Sequence, residues 1–192
     1  MTVLELARKE LILDKKVTAV IGVVSFIILM ACSAFIRVPL PFTPVPLTLQ
    51  TFAVLLTGAV LGKKLGSISQ AGYIGLGAAG LPIFSGAGFG LAYLMGPTGG
   101  YLVGFITAAW VIGQIIGDKK SGFFKILFAM FIGEIILFSL GVTWLSISLH
   151  FGIVKALTLG LLPFVIGDVI KLLAAATLYY EIQGRVREIY PK

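Results

Sequence analysis

The chain has no asparagine, one cysteine and one histidine, and only 23 of its 192 residues are charged. Each shortage closes a class of function. Without Asn there is no N-glycosylation acceptor. Cys32 alone cannot form an intrachain disulfide. With His150 as the sole histidine, neither a cysteine cluster nor a histidine pair exists to hold a metal. A soluble domain is about 25% charged, so 12% cannot cover a water-facing surface, and a soluble globular enzyme is excluded. Disorder is excluded by the 58% apolar content. The segment Gly58 to Lys64 comes near a phosphate-binding loop, but it is one residue short and has Lys64 where Ser or Thr is needed. Hydrolysis of ATP by a P-loop is therefore absent, and no serine has a base at matching depth.

What is abundant is apolar sequence, with a mean hydropathy of +1.07. Six apolar blocks run approximately over Val17–Ile36, Leu47–Gly62, Leu65–Gly80, Gly99–Gly117, Phe123–Leu145 and Ala156–Tyr180. A spanning helix takes about 20 residues, so the pattern predicts an all-α integral membrane protein, a compact bundle of six transmembrane helices with structured outer loops. Residues 17–192 form one domain, and residues 1–16 form an amphipathic segment on the cytoplasmic membrane face. The apolar run is too long, and lacks the small-residue site, for a cleaved signal peptide. The segment 81–96 is also uncharged, and its Pro82 and glycines predict a folded loop dipping into the protein, with a seventh crossing as the alternative.

The net charge of +7 would suggest nucleic acid in a soluble protein, but here the basic residues lie between apolar blocks. Alternating the six blocks puts Arg8, Lys9, Lys15, Lys16, Lys63, Lys64, Lys119, Lys120, Lys125, Arg185, Arg187 and Lys192 on one side, and only Arg37 and Lys155 on the other. That asymmetry predicts both termini in the cytoplasm of a multi-pass cell-membrane protein, with lipid as the partner of the basic residues and no nucleic acid. Small residues recur every four positions at Gly96, Gly100, Gly104 and Ala108, at Ser67, Ala71, Gly75 and Ala79, and at Ala109, Gly113 and Gly117. Such ridges let helices pack closely in lipid.

Chemistry at membrane depth rests on Glu134, Asp168 and Lys171. Each costs about 2.5–3.5 kcal/mol at a helix centre. Asp168 and Lys171, three residues apart, share one helical face, and together they suit either a urea or amide group or, through Lys171, a carboxylate. Pro163 removes a helix hydrogen bond and frees the carbonyl of Leu159 just ahead of them. Glu134 has open alternatives: pairing with Lys171, holding a cation or facing a partner protein. Two outer segments read as lids. Residues 37–50 carry four prolines and lead into Thr48, Gln50 and Thr51; residues 80–101 carry Phe84, Phe89, Tyr93 and the run Gly96-Pro97-Thr98-Gly99-Gly100. An apolar enclosure with a few placed polar groups suits a small ligand.

The run Val38-Pro39-Leu40-Pro41-Phe42-Thr43-Pro44-Val45-Pro46-Leu47-Thr48-Leu49-Gln50-Thr51 resembles the signature of BioY, the biotin-binding S component of energy-coupling factor transporters. The likeness continues through residues 79–86, the Gly96–Leu102 run and Pro163–Lys171. It implies a six-helix vitamin-binding subunit, not an enzyme, that docks on a transmembrane T component carrying two ATPases. It implies biotin as transported ligand, with no cofactor and no metal. Asp168 and Lys171 would hydrogen-bond the ureido head, Gln50, Thr48, Gly96, Pro97 and Thr98 would complete the polar contacts, and Phe89 and Tyr93 would pack on the rings and valeryl chain. Docking is implied on small residues of the first helix, here Ala19, Gly22 and Ser25, although no four-residue spacing links them. Two alternatives stand beside biotin: an S component for another vitamin, and a proton- or ion-coupled secondary transporter using Asp168, Lys171 and Glu134.

Overall fold

The computed structural model describes residues 15–190. The predicted amphipathic segment therefore lies outside the described residues, apart from Lys15 and Lys16, which open the first helix. Seven helices and one small hairpin follow: α1 Lys15–Phe35, β1 Arg37–Val38, β2 Leu47–Thr48, α2 Gln50–Ala78, α3 Gly90–Met95, α4 Gly99–Ile116, α5 Phe123–Ser148, α6 Ile153–Gly160 and α7 Val165–Ile189. Four of them, α1, α2, α4 and α5, are long and apolar enough to cross a membrane, and the bent pair α6–α7 makes a fifth.

This differs from six plain helices in three places. The second and third apolar blocks are joined as α2, which breaks at Gly62 (φ 75°, ψ −178°), a conformation essentially restricted to glycine. The limbs 50–61 and 63–78 fold back on one another. Gln70 Nε2 donates to Thr57 Oγ1 at 3.0 Å, and Gln50 Nε2 donates to Tyr73 Oη at 2.9 Å. The last block is two helices that meet at 55°, and α7 runs to Ile189, beyond the hydropathic limit at Tyr180. Its added turns carry Glu181, Arg185, Arg187 and Glu188, which hydropathy reads as the end of a span while the backbone stays helical. Within the segment 81–96 the chain forms α3, which buries none of its residues, and Phe84 alone inserts its ring into the core, so the segment lies over the protein and is pinned by one side chain.

The small-residue ridges divide by where they face. On α4, a Cβ at Gly100 would lie 2.2 Å from Trp144 Cβ, and one at Gly104 would lie 3.1 Å from Leu137 Cα, so this ridge seats α5. The opposite ridge seats the α2 bend: a Cβ at Gly113 would lie 2.2 Å from the Lys63 nitrogen. The ridge of Ser67, Ala71, Gly75 and Ala79 is not a packing surface within the chain; Gly75 has open space above it. On α1, Gly22 is buried under Tyr190 and Leu61, whereas Ser25 is exposed and Ala19 half-buried. Gly22 is thus covered by the chain itself and does not share an open docking face with Ser25.

The core has two stacked halves. One gathers Leu55, Ala59, Ile112, Ile116, Met130, Ala175 and Tyr179 between α2, α4, α5 and α7. The other gathers Met30, Val54, Tyr73, Phe84, Tyr101, Phe105, Leu137 and Phe164 beneath the hairpin. Chain direction places Lys63, Lys64, Lys119, Lys120, Lys125, Arg185 and Arg187 at the end away from the hairpin. There Gln183 brackets the α4–α5 turn, accepting from the Ser121 amide at 3.0 Å and donating to its carbonyl at 3.1 Å.

Candidate ligand-binding site

The proline-rich segment is the tip of a β-hairpin. β1 and β2 are antiparallel, with Arg37 opposite Thr48 and Val38 opposite Leu47. This closes residues 39–46 into a cap, whose Val45 is 7% exposed. The second outer segment is held by its aromatic rings. Phe84 sits edge-on to Tyr73 and stacked on Tyr93, with centroids 5.5 Å and 5.0 Å away. Tyr93 Oη donates to the Ser85 carbonyl at 3.1 Å, and burial raises its phenol pKa above the ordinary value. Trp144 Nε1 on α5 donates to the Gly96 carbonyl at 2.9 Å, which anchors the Gly-Pro-Thr turn.

Beneath these caps lies a cavity of about 60 Å³ that opens outward. One wall is polar. Asp168, in the first turn of α7, forms an ion pair with Lys171 through Oδ1. Thr51 Oγ1 donates to the same Oδ1 at 2.7 Å, and Lys171 Nζ donates to Thr51 Oγ1 at 2.6 Å, closing a three-membered ring. Lys171 Nζ also donates to the Thr48 carbonyl at 3.0 Å. An ammonium has three donors, and all three are directed at protein acceptors. The opposite wall is aromatic: Tyr101, Phe105, Phe138 and Phe164 line it with Leu102 and Leu137. Tyr101 meets Phe138 edge-on, and Phe138 stacks on Phe164.

The cavity opens onto an outer vestibule, with which it shares Pro46, Ser85, Tyr93 and Thr98; Arg37 lines the vestibule. Of the residues singled out in the sequence, Asp168, Lys171, Gln50, Thr48, Tyr93 and Thr98 line the cavity, and Gly96 and Pro97 line the vestibule. Phe89 lines neither: it is 60% exposed ahead of α3. Besides Tyr93, the aromatic residues that line the cavity come from α4, α5 and the α6–α7 junction. Nothing in their spacing separates them from ordinary core, so sequence reasoning passed over them. Thr51 was visible as a hydrogen-bonding group, but its place in the ring was not. Glu134 is buried, its Oε1 lacks a hydrogen-bond partner, and no ion pair with Lys171 forms, Lys171 being held by Asp168.

A family model described as the BioY family matches residues 7–188. The chain belongs to the BioY family. It is 46% identical over 151 residues to the biotin transporter BioY of Thermotoga maritima, covering 79% of this chain and 87% of that protein. To the probable biotin transporter BioY of Pyrococcus horikoshii it is 40% identical over 141 residues, covering 73% and 82%. Its fold matches the crystal structure of the S-component for biotin from an ECF-type ABC transporter with a TM-score of 0.82 at 26% identity, covering 88% of this chain and 92% of that one. The family is one of transporter subunits, not enzymes.

Proposed function

We propose that the chain is the biotin-binding S component of an energy-coupling factor transporter. It captures biotin from outside, docks on a T component with two ATPases and delivers the vitamin inward. The observation that carries this reading is a capped cavity with an aromatic wall facing the Thr51–Asp168–Lys171 ring. Biotin has the matching two-sided chemistry: a urea with two N–H donors and one acceptor, and an apolar ring and chain ending in a carboxylate. Asp168 Oδ1 is already engaged by Thr51 and Lys171, so Oδ2 is the oxygen to accept a urea N–H. Lys171, with its protons committed, acts as the clamp that fixes this carboxylate. The ligand carboxylate then finds its cation at the mouth, at Arg37 in the vestibule. Gln50, whose amide is oriented by Tyr73, and Thr98 add polar contacts, and Tyr93 covers the chain.

Counting the two limbs of α2 separately and the bent α6–α7 pair once gives six passes. The basic end then faces the cytoplasm, with both termini, as the charge asymmetry requires. Calorimetry of the detergent-purified full chain tests the ligand. Tight biotin binding that is lost in Asp168→Asn and Lys171→Ala supports the site. Binding that survives both moves the site toward Gln50 and the caps. A folded protein that binds thiamin or riboflavin and not biotin sinks the biotin reading. Uptake driven by a pH gradient in vesicles holding this chain alone sinks the division of labour with ATPases.

A further inference from the structure

The break between α6 and α7 leaves the backbone carbonyls of Leu159 and Gly160, among others, without helical partners. Pro163 has no N–H to give to Leu159, and the Phe164 amide bonds Leu161 instead of Gly160. A buried carbonyl left unpaired is costly, and both are taken up from far along the chain. Thr43 Oγ1, on the proline cap, donates to the Leu159 carbonyl at 2.7 Å across 116 residues. Tyr101 Oη, on the cavity wall, donates to the Gly160 carbonyl at 2.7 Å. We propose that Thr43 is a positioning residue for ligand retention: by bonding the carbonyl that Pro163 leaves open, it latches the cap over the cavity. The same hydroxyl accepts from the Val45 amide at 3.2 Å, so the latch also sets the two cap residues, Val45 and Pro46, that line the cavity. Pro163 thus acts twice, bending the chain to open the space beside Asp168 and presenting the acceptor that closes the cap.

The latch rests on the ligand reading only for its effect on retention; its effect on the cap does not need a ligand. The full chain in detergent is compared with Thr43→Val, Thr43→Ser and Pro163→Ala. Two quantities are read: hydrogen exchange of residues 39–46 without biotin, and the dissociation rate of radiolabelled biotin. Thr43→Val is expected to speed exchange in the cap and to speed dissociation about five-fold, what one net hydrogen bond supplies, with association little changed. Thr43→Ser, which keeps the hydroxyl, restores both. In Pro163→Ala, residue 163 regains an N–H for Leu159, so the cap loosens as in Thr43→Val, and adding Thr43→Val has less than a two-fold further effect. That non-additivity separates the latch from the bond to Val45, which Pro163 does not touch. Unchanged cap exchange in Thr43→Val, or effects of Thr43→Val and Pro163→Ala that multiply, overturns the latch. If biotin fails to bind the unaltered chain, the ligand reading falls while the exchange arm still decides the latch.

Discussion

Two helix breaks organise this molecule, and they are resolved in opposite ways. At Gly62 the chain reverses within a single residue, and the bend is filled from outside by α4, whose Gly113 leaves no room for a side chain. At Leu161–Phe164 the chain turns by 55° and the freed carbonyls reach out, to the cap through Thr43 and to the cavity wall through Tyr101. The first break is closed by backbone packing and sits at the basic end. The second is closed by side-chain hydroxyls and borders the cavity. A break satisfied by packing serves only the fold, whereas one satisfied by distant hydroxyls ties separate parts of a binding site together.

The sharpest way to break the comparison is to overfill the first bend. Gly113→Leu would drive side-chain atoms into Lys63 and the Gly62 carbonyl, and is expected to abolish recovery of folded, monodisperse protein in detergent. On the other side of the comparison, Asp168→Asn keeps the shape but removes the charge clamped by Thr51 and Lys171. Calorimetry should show biotin affinity falling about a hundred-fold, in line with the roughly 2–5 kcal/mol lost when a buried charge pair is truncated. Gly62→Ala should lower thermal stability by about 1–3 kcal/mol, the cost of a side chain in this backbone region. Biotin affinity of its folded fraction should stay unchanged, because the bend is remote from the cavity.

Tyr101→Phe leaves the Gly160 carbonyl unpaired and should cost about 1–3 kcal/mol of stability. Unlike Gly62→Ala, it should weaken biotin binding too, since Tyr101 lines the cavity. The smallest effect is expected at Phe89→Ala: an exposed residue outside the cavity shifts stability by less than about 0.5 kcal/mol, and calorimetry should find affinity within two-fold of the unaltered chain. A larger loss there would mean that the cap segment 80–98 closes further over the ligand.

Much of the fold was legible because hydropathy is a local property. The apolar blocks match the described helices within a few residues over α1, α4 and α5, and their charge pattern matches the gathering of Lys63, Lys119 and Arg187 at one end. The acid–base pair was legible as well, because three-residue spacing on a helix puts Asp168 and Lys171 side by side. Its third member was not, because Thr51 and Asp168 are 117 residues apart. Phe89 misled because an aromatic residue in an apolar loop has no local sign of which way it will face. Phe84, five residues earlier, is the one buried against Tyr73.

The sequence by itself determined that this is a membrane protein of helical blocks, that Pro163 frees the carbonyl of Leu159, and that an acid and a base lie on one face of the last helix. These follow from composition, proline chemistry and helical periodicity, all of which act over a few residues. Only the tertiary structure decided that Thr43 takes the freed carbonyl, that Thr51 closes the ring with Asp168 and Lys171, and that Tyr101, Phe105, Phe138 and Phe164 form the opposite wall. Those contacts join segments a hundred or more residues apart or helices that meet only in the bundle. Buried polar groups must find partners wherever packing brings them, and where packing brings them is a property of the whole chain.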